Sequence, residues 1–101
     1  MTLYEVNLQV DVALRDDYLM WLRAHMREML AFDGFVDATL ADVSEPAPAP
    51  GRFALCVRYR VRDAASLQAY FDQHAPRMRA EGIARFGDGF SASRRILTLL
   101  D

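Results

Sequence analysis

From Leu3 to Val12, apolar and polar side chains alternate without a break, and no other feature restricts the fold so tightly. Tyr4, Val6, Leu8, Val10 and Val12 fall on one side, and Glu5, Asn7, Gln9 and Asp11 on the other. Successive side chains of a strand point to opposite faces, so this two-residue period, rich in β-branched residues, marks a half-buried strand. The period then changes. Leu19, Leu22, Met26, Met29 and Leu30 recur at helical spacing behind the carboxylates of Asp16 and Asp17, which suit a helix N-terminus. The spacing predicts a helix over Asp16–Phe32 that stops at Gly34.

A second, less regular strand is expected over Phe35–Val43, with Val36, Ala38 and Leu40 on one face. Ser44–Arg52 reads SEPAPAPGR, and its alternating prolines force an extended connection between strands. Phe53–Val61 alternates again, placing Phe53, Leu55, Val57, Tyr59 and Val61 against Ala54, Cys56, Arg58 and Arg60. Asp63 is placed to cap a second helix carrying Leu67, Tyr70, Phe71, His74 and Met78 on one stripe. Pro76 should kink or restart that helix before Gly87 and Gly89 end it. Phe90–Leu100 completes the set as a fourth strand. The order β-α-β-β-α-β is that of a ferredoxin-like α+β fold: a four-stranded antiparallel sheet with two helices on one face, in a single domain over residues 1–101.

Composition narrows the chemistry. Cys56 is the one cysteine, which rules out an intrachain disulfide and a multi-cysteine zinc site. All 12 basic residues are arginine, so no lysine is present to form a Schiff base or to hold phosphate in a phosphate loop. The N-terminus has no basic stretch leading into an apolar core, and no run approaches the roughly 18 apolar residues of a membrane span. The expectation is a cytoplasmic protein with no membrane partner. Residues 1–50 carry a net charge of −6 and residues 51–101 one of +4, which is read as two halves that interleave and neutralise each other. A strand-one segment like that of RNA-binding domains, Leu3–Leu8, fails as such because its aromatic, Tyr4, lies on the core side. No nucleic-acid partner is expected.

The sheet face away from the helices poses the main question. Glu5, Asn7, Gln9, Asp11, Arg58 and Arg60 make it too polar for a core, whereas Phe35, Val43, Ala54, Cys56, Leu97 and Leu99 make it too apolar to stay wet. A second copy related by a two-fold axis would cover it, so a homodimer is expected. The segments YEVNLQV (4–10), WLRAHMREML (21–30), CVRY (56–59), LQAYFDQHAPRMR (67–79) and RFGDGFSASRRIL (85–97) resemble a small bacterial family known as domain of unknown function forty-two eighty-six. The resemblance implies a ferredoxin-like fold of the dimeric α/β-barrel kind, and it carries no catalytic residues over. The proline-rich stretch Ala47–Pro50 departs from the family pattern.

Two functional classes follow. The one favoured by the residues is a non-catalytic homodimeric module that engages itself or a partner protein, since no nucleophile–base pair, metal cluster or phosphate loop can be read in the sequence. The other is a small-molecule enzyme or binder, monooxygenase-like, with a pocket between sheet and helices near Asn7, Tyr59 and His74. His74, beside Tyr70 and Phe71 and just before Pro76, is a candidate acid or base, or else a structural residue bonded to a carbonyl freed by that proline. His25, four residues after Trp21, is expected to stack on it at an interface. Some dimeric-barrel enzymes, including haem-degrading monooxygenases, set a first-strand asparagine against a tryptophan and a histidine of the second helix. Asn7 and His74 are similar in placement, but Trp21 is on the first helix. No metal-ligand spacing or cofactor motif is present in the sequence, and no metal or cofactor is assigned. Arg77, Arg79, Arg85, Arg94 and Arg95 are read as partners of surface carboxylates, with an anionic ligand as the alternative.

Overall fold

The computed structural model describes residues 1–101. Strand β1 (Thr2–Asp11) passes through a 3-10 turn, Val12–Leu14, into helix α1 (Arg15–Met29). Strands β2 (Phe35–Asp42) and β3 (Arg52–Val61) follow, then helices α2 (Ala64–Gln73) and α3 (Ala75–Phe86), and finally strand β4 (Phe90–Thr98). The strands lie in the order β2-β3-β1-β4, antiparallel throughout, and the fold is ferredoxin-like.

The alternation of β1 decides what is buried. Tyr4, Leu8 and Val10 lie under the helices with Phe53, Leu55, Val57, Tyr59 and Val61 of β3. Tyr18, Leu22 and Met29 come down from α1, Leu67 and Tyr70 from α2, and Ala75 and Met78 from α3. Each large apolar side chain buried this way contributes about 1.5–3 kcal/mol before the entropy of ordering is counted. Aromatic edges tie the layers together: Tyr4 packs edge-on to Phe71 at 5.4 Å between ring centres, and Phe35 does so on Tyr70 at 5.3 Å.

Several local expectations change. Val36 does not share a face with Ala38 and Leu40, because β2 bulges between Phe35 and Asp37. The extra residue leaves Val36 exposed and turns Phe35 into the core, so Phe35 is removed from the open face of the sheet. Val12 leaves the strand for the 3-10 turn and is exposed, and Leu99 lies beyond the end of β4. Helix α1 ends at Met29 rather than Phe32, three hydrogen-bonded turn contacts before Phe35 easing the chain into β2. Pro76 restarts the helix rather than bending it: the His74 amide still donates to the Tyr70 carbonyl, ending α2, and Pro76 sits in the first turn of α3, where a missing N–H costs nothing. The Asp63 cap forms as read, its carboxylate accepting from the Ser66 amide at 2.8 Å. No helix is long and apolar enough to cross a membrane.

The acidic first half and basic second half interleave. Arg52 pairs with Asp11, Arg60 with Asp37 and Arg62 with Asp33, and both Arg58 and Arg95 pair with Glu5.

Candidate functional site

The three residues placed at a common pocket by sequence do not meet. Asn7 is on the open face of the sheet, where its amide donates to Glu5 Oε2 at 2.8 Å. Tyr59 is on the helix-covered face, its ring stacked 6.0 Å from that of Tyr4. His74 sits at the α2–α3 junction with its ring lying flat on Phe32, 4.2 Å between centres and 15° between planes. Strand parity separates the first from the other two: positions 7 and 59 have opposite orientations because Asn7 is registered opposite Cys56, not Tyr59.

The structure assembles a different site. A cavity of about 290 Å³ lies between the sheet and helices α1 and α3 and opens to solvent. Its floor is Val6, Leu8 and Val57; Trp21, Leu22 and Met29 line it from α1, and Met78, Gly82 and Ile83 from α3. Phe90, Ala92 and Arg94 close it along the inward face of β4. Gly82 makes room for the wall: a methyl group there would stand 3.0 Å from the Trp21 ring and 3.4 Å from that of Phe90. Ile83, Arg79 and Arg94 are exposed and mark the mouth.

Polar groups are few and specific. The hydroxyl of Tyr4 accepts from Arg79 at 3.3 Å, and the guanidinium of Arg79 also lies over the Phe71 ring. Tyr18 and Tyr59 line the cavity as neutral phenols, burial pushing both well above the ordinary tyrosine value. Tyr70 is pushed up to about 12, again mainly by burial. His25 stacks on Trp21 at 4.7 Å, as its spacing predicts, and the pair lines this cavity. Burial holds His25 below the ordinary histidine value, more than Glu28 and Glu81 raise it, so the ring is neutral at pH 7. Its Nδ1 is the one buried side-chain polar atom without a hydrogen-bond partner. Carrying the proton on Nε2 avoids a stranded donor at Nδ1.

The signal for this site was present in part. Trp21 and His25 at a four-residue spacing place two rings on one helix face, and Arg94 alternates with Arg95. What the sequence did not show is that a space is left between α1, α3 and β4. No three His, Cys, Asp or Glu side chains gather to hold a metal ion. On the open face, burial chiefly, with Glu5 beside it, raises the Cys56 thiol above its ordinary value and keeps it protonated.

The sequence matches the family described as domain of unknown function (DUF4286) over residues 1–100. The chain belongs to that family. No curated protein matches it. Solved structures share the DUF4286 chain's fold at low identity. A protein of Deinococcus radiodurans assigned as an antibiotic biosynthesis monooxygenase superposes with a TM-score of 0.75 at 7% identity, covering 100% of this chain and 94% of its own. SnoaB, a cofactor-independent oxygenase of Streptomyces nogalater, gives 0.67 at 11% identity, covering 99% and 94%. A protein of the ethyl tert-butyl ether d (EthD) family of Bacillus halodurans gives 0.67 at 14%, covering 99% and 100%. At these identities the likeness establishes the architecture and nothing of the site.

Proposed function

We propose that this DUF4286 protein is a small-molecule binder or enzyme of the monooxygenase-like kind, and that it works as a homodimer. The observation that carries the reading is the cavity between sheet and helices: concave, mostly apolar, with a few convergent polar groups and a histidine held neutral by burial. A domain that served only as a packing module would gain by filling this space, since unfilled apolar volume weakens a core. His25 is the group in the cavity able to take a proton near neutral pH, with Tyr18 and Tyr59 as neutral donors beside it. The oxygenase names borne by fold neighbours make oxygenation of the bound molecule, with dioxygen as the oxidant, the reaction class this reading favours. His74 and Asn7 stand apart from that chemistry in the proposal, His74 as a stacking residue of the helix junction and Asn7 as support for Glu5.

The dimer would form through the open face of the sheet, where half-exposed Leu3, Ala54, Cys56 and Leu97 surround ion pairs already satisfied within the chain. A two-fold axis through that face leaves both cavities free on the outer, helical sides.

Trp21 is the sole tryptophan, so its indole N–H gives a single, assignable NMR resonance on the cavity wall. Titration with 2-naphthamide, a neutral two-ring probe, should move that resonance saturably. Ile83→Phe would close the mouth from an exposed position without adding a second indole, and should abolish the movement. Equal responses in the wild type and the sealed variant would remove the cavity as the binding site.

A further inference from the structure

The cavity's charge is one-sided. Its lining contains two arginines, a neutral histidine and no aspartate or glutamate. Arg79 is already committed to the Tyr4 hydroxyl and the Phe71 ring. Arg94 is not: it has neither a salt bridge nor a side-chain hydrogen bond, whereas its neighbour Arg95, pointing to the opposite face, is held bidentately by Glu5 at 2.6 and 3.1 Å. The contrast within one dipeptide follows from strand geometry, since adjacent side chains of β4 cannot share a carboxylate on one face. The helical acids that act on His25, Glu28 and Glu81, do not bond Arg94; Glu81 is bonded instead to Arg77 at 3.1 Å. The Arg94 charge reaches into the cavity, where it favours the neutral imidazole of His25 and the ionised forms of the Tyr18 and Tyr70 phenols.

A guanidinium with no partner, beside an apolar wall of Trp21 and Phe90 and two phenol donors, describes a ligand by complement. Resting on the reading that this cavity binds a small molecule, we propose that the molecule is a planar aromatic acid: its rings pack on the Trp21–Phe90 wall over Val6 and Val57, and its anionic oxygens face Arg94. An aliphatic cation is disfavoured by the two guanidiniums, and a neutral aromatic would leave Arg94 with water alone. The volume, at the small end of the range of about 300–1,000 Å³ common for ligand pockets, suits two or three fused rings.

A matched pair of probes isolates the charge. 2-Naphthoate and 2-naphthamide have the same rings and differ in the anion, and calorimetry with the Trp21 indole resonance reports both affinity and place. The wild type should bind 2-naphthoate about tenfold or more tightly than 2-naphthamide at low ionic strength, the usual margin of a charge-assisted hydrogen bond. Arg94→Gln should bring the two probes within about twofold by weakening only the acid, and Arg94→Lys should keep most of the preference. Because Arg94 is exposed and unpaired, neither variant threatens folding. Equal binding of both probes to the wild type, or a preference unchanged in Arg94→Gln, overturns the aromatic-acid assignment and leaves the cavity reading standing. Failure of both probes to move the Trp21 resonance at millimolar concentration overturns the two together.

Discussion

Glu5 shows how much one residue's fate depends on its neighbours. Alternation puts it on the face away from the helices, where a carboxylate is ordinarily wet, yet it is only 1% exposed. What covers it is side chain, not backbone: Arg95 grips both oxygens, Arg58 donates to Oε1 at 2.8 Å, and Asn7 donates to Oε2. Those arginines are half exposed themselves, so Glu5 lies just under a charged skin and not in an apolar interior. The Arg95 hydrogen bonds are the largest influence, ahead of the burial that opposes them, and the carboxyl falls to about 2. A carboxylate whose value drops on folding stabilises the fold above its unfolded value of about 4.5 and loses that contribution as pH falls toward 2. Glu5→Gln should therefore cost about 2–3 kcal/mol at pH 7, and the gap from the wild type should shrink steadily below about pH 4.5. Urea midpoints of both proteins at pH 7, 4 and 3 test this, and a gap independent of pH would contradict it.

Among the elements, the turns are as informative as the strands. Gly34 ends the passage from α1 to β2 at φ +85°, and a Cβ there would fall 2.4 Å from that of Ser66. Its carbonyl also accepts from the Arg62 amide at 2.8 Å, joining the β2 entrance to the β3 exit. Gly51 has nearly the same backbone angle, φ +79°, with nothing near the position of a Cβ. Gly51→Ala should cost about 1 kcal/mol, from the left-handed backbone alone. Gly34→Ala should cost about 3 kcal/mol or more, because contact with Ser66 adds to the same strain. Thermal unfolding of the two variants separates these contributions, and equal losses would mean that Ser66 yields freely. The helices make a related point. Pro76 is harmless at the start of α3 but could not sit inside one continuous helix, so the second crossover becomes two helices and His74 becomes a junction residue.

For the whole molecule, charge and shape are settled between distant parts of the chain. The acidic half supplies Glu5, Asp11, Asp33 and Asp37, and the basic half supplies the arginines that meet them across all four strands and the turn before β2. This arrangement leaves the carboxylates Glu5, Asp11 and Asp37 of the open sheet face paired but the face uncovered. A second copy seated there would bury the exposed parts of Leu3, Ala54 and Leu97 without stranding the Glu5 carboxylate, which is already fully bonded. Light scattering at micromolar concentration should give twice the 11.5 kDa chain mass. A single species at the chain mass would end the homodimer proposal while leaving the cavity, which one protomer builds alone, untouched.

By itself the sequence determined which way each strand faces, where the helices begin and that the chain folds as β-α-β-β-α-β, because side-chain period is a local property that backbone geometry enforces residue by residue. It also placed Trp21 on His25 and sent Arg94 and Arg95 to opposite faces. Only the tertiary structure decided that Phe35 turns inward, since a bulge is set by pairing with β3 and not by composition. It alone gathered Trp21, His25, Tyr59, Gly82 and Arg94 around one space, whereas the parity that keeps Asn7 off Tyr59 was already legible in the strands. A cavity is what packed elements leave unfilled between them, and it depends on the distance between helices that no single segment encodes.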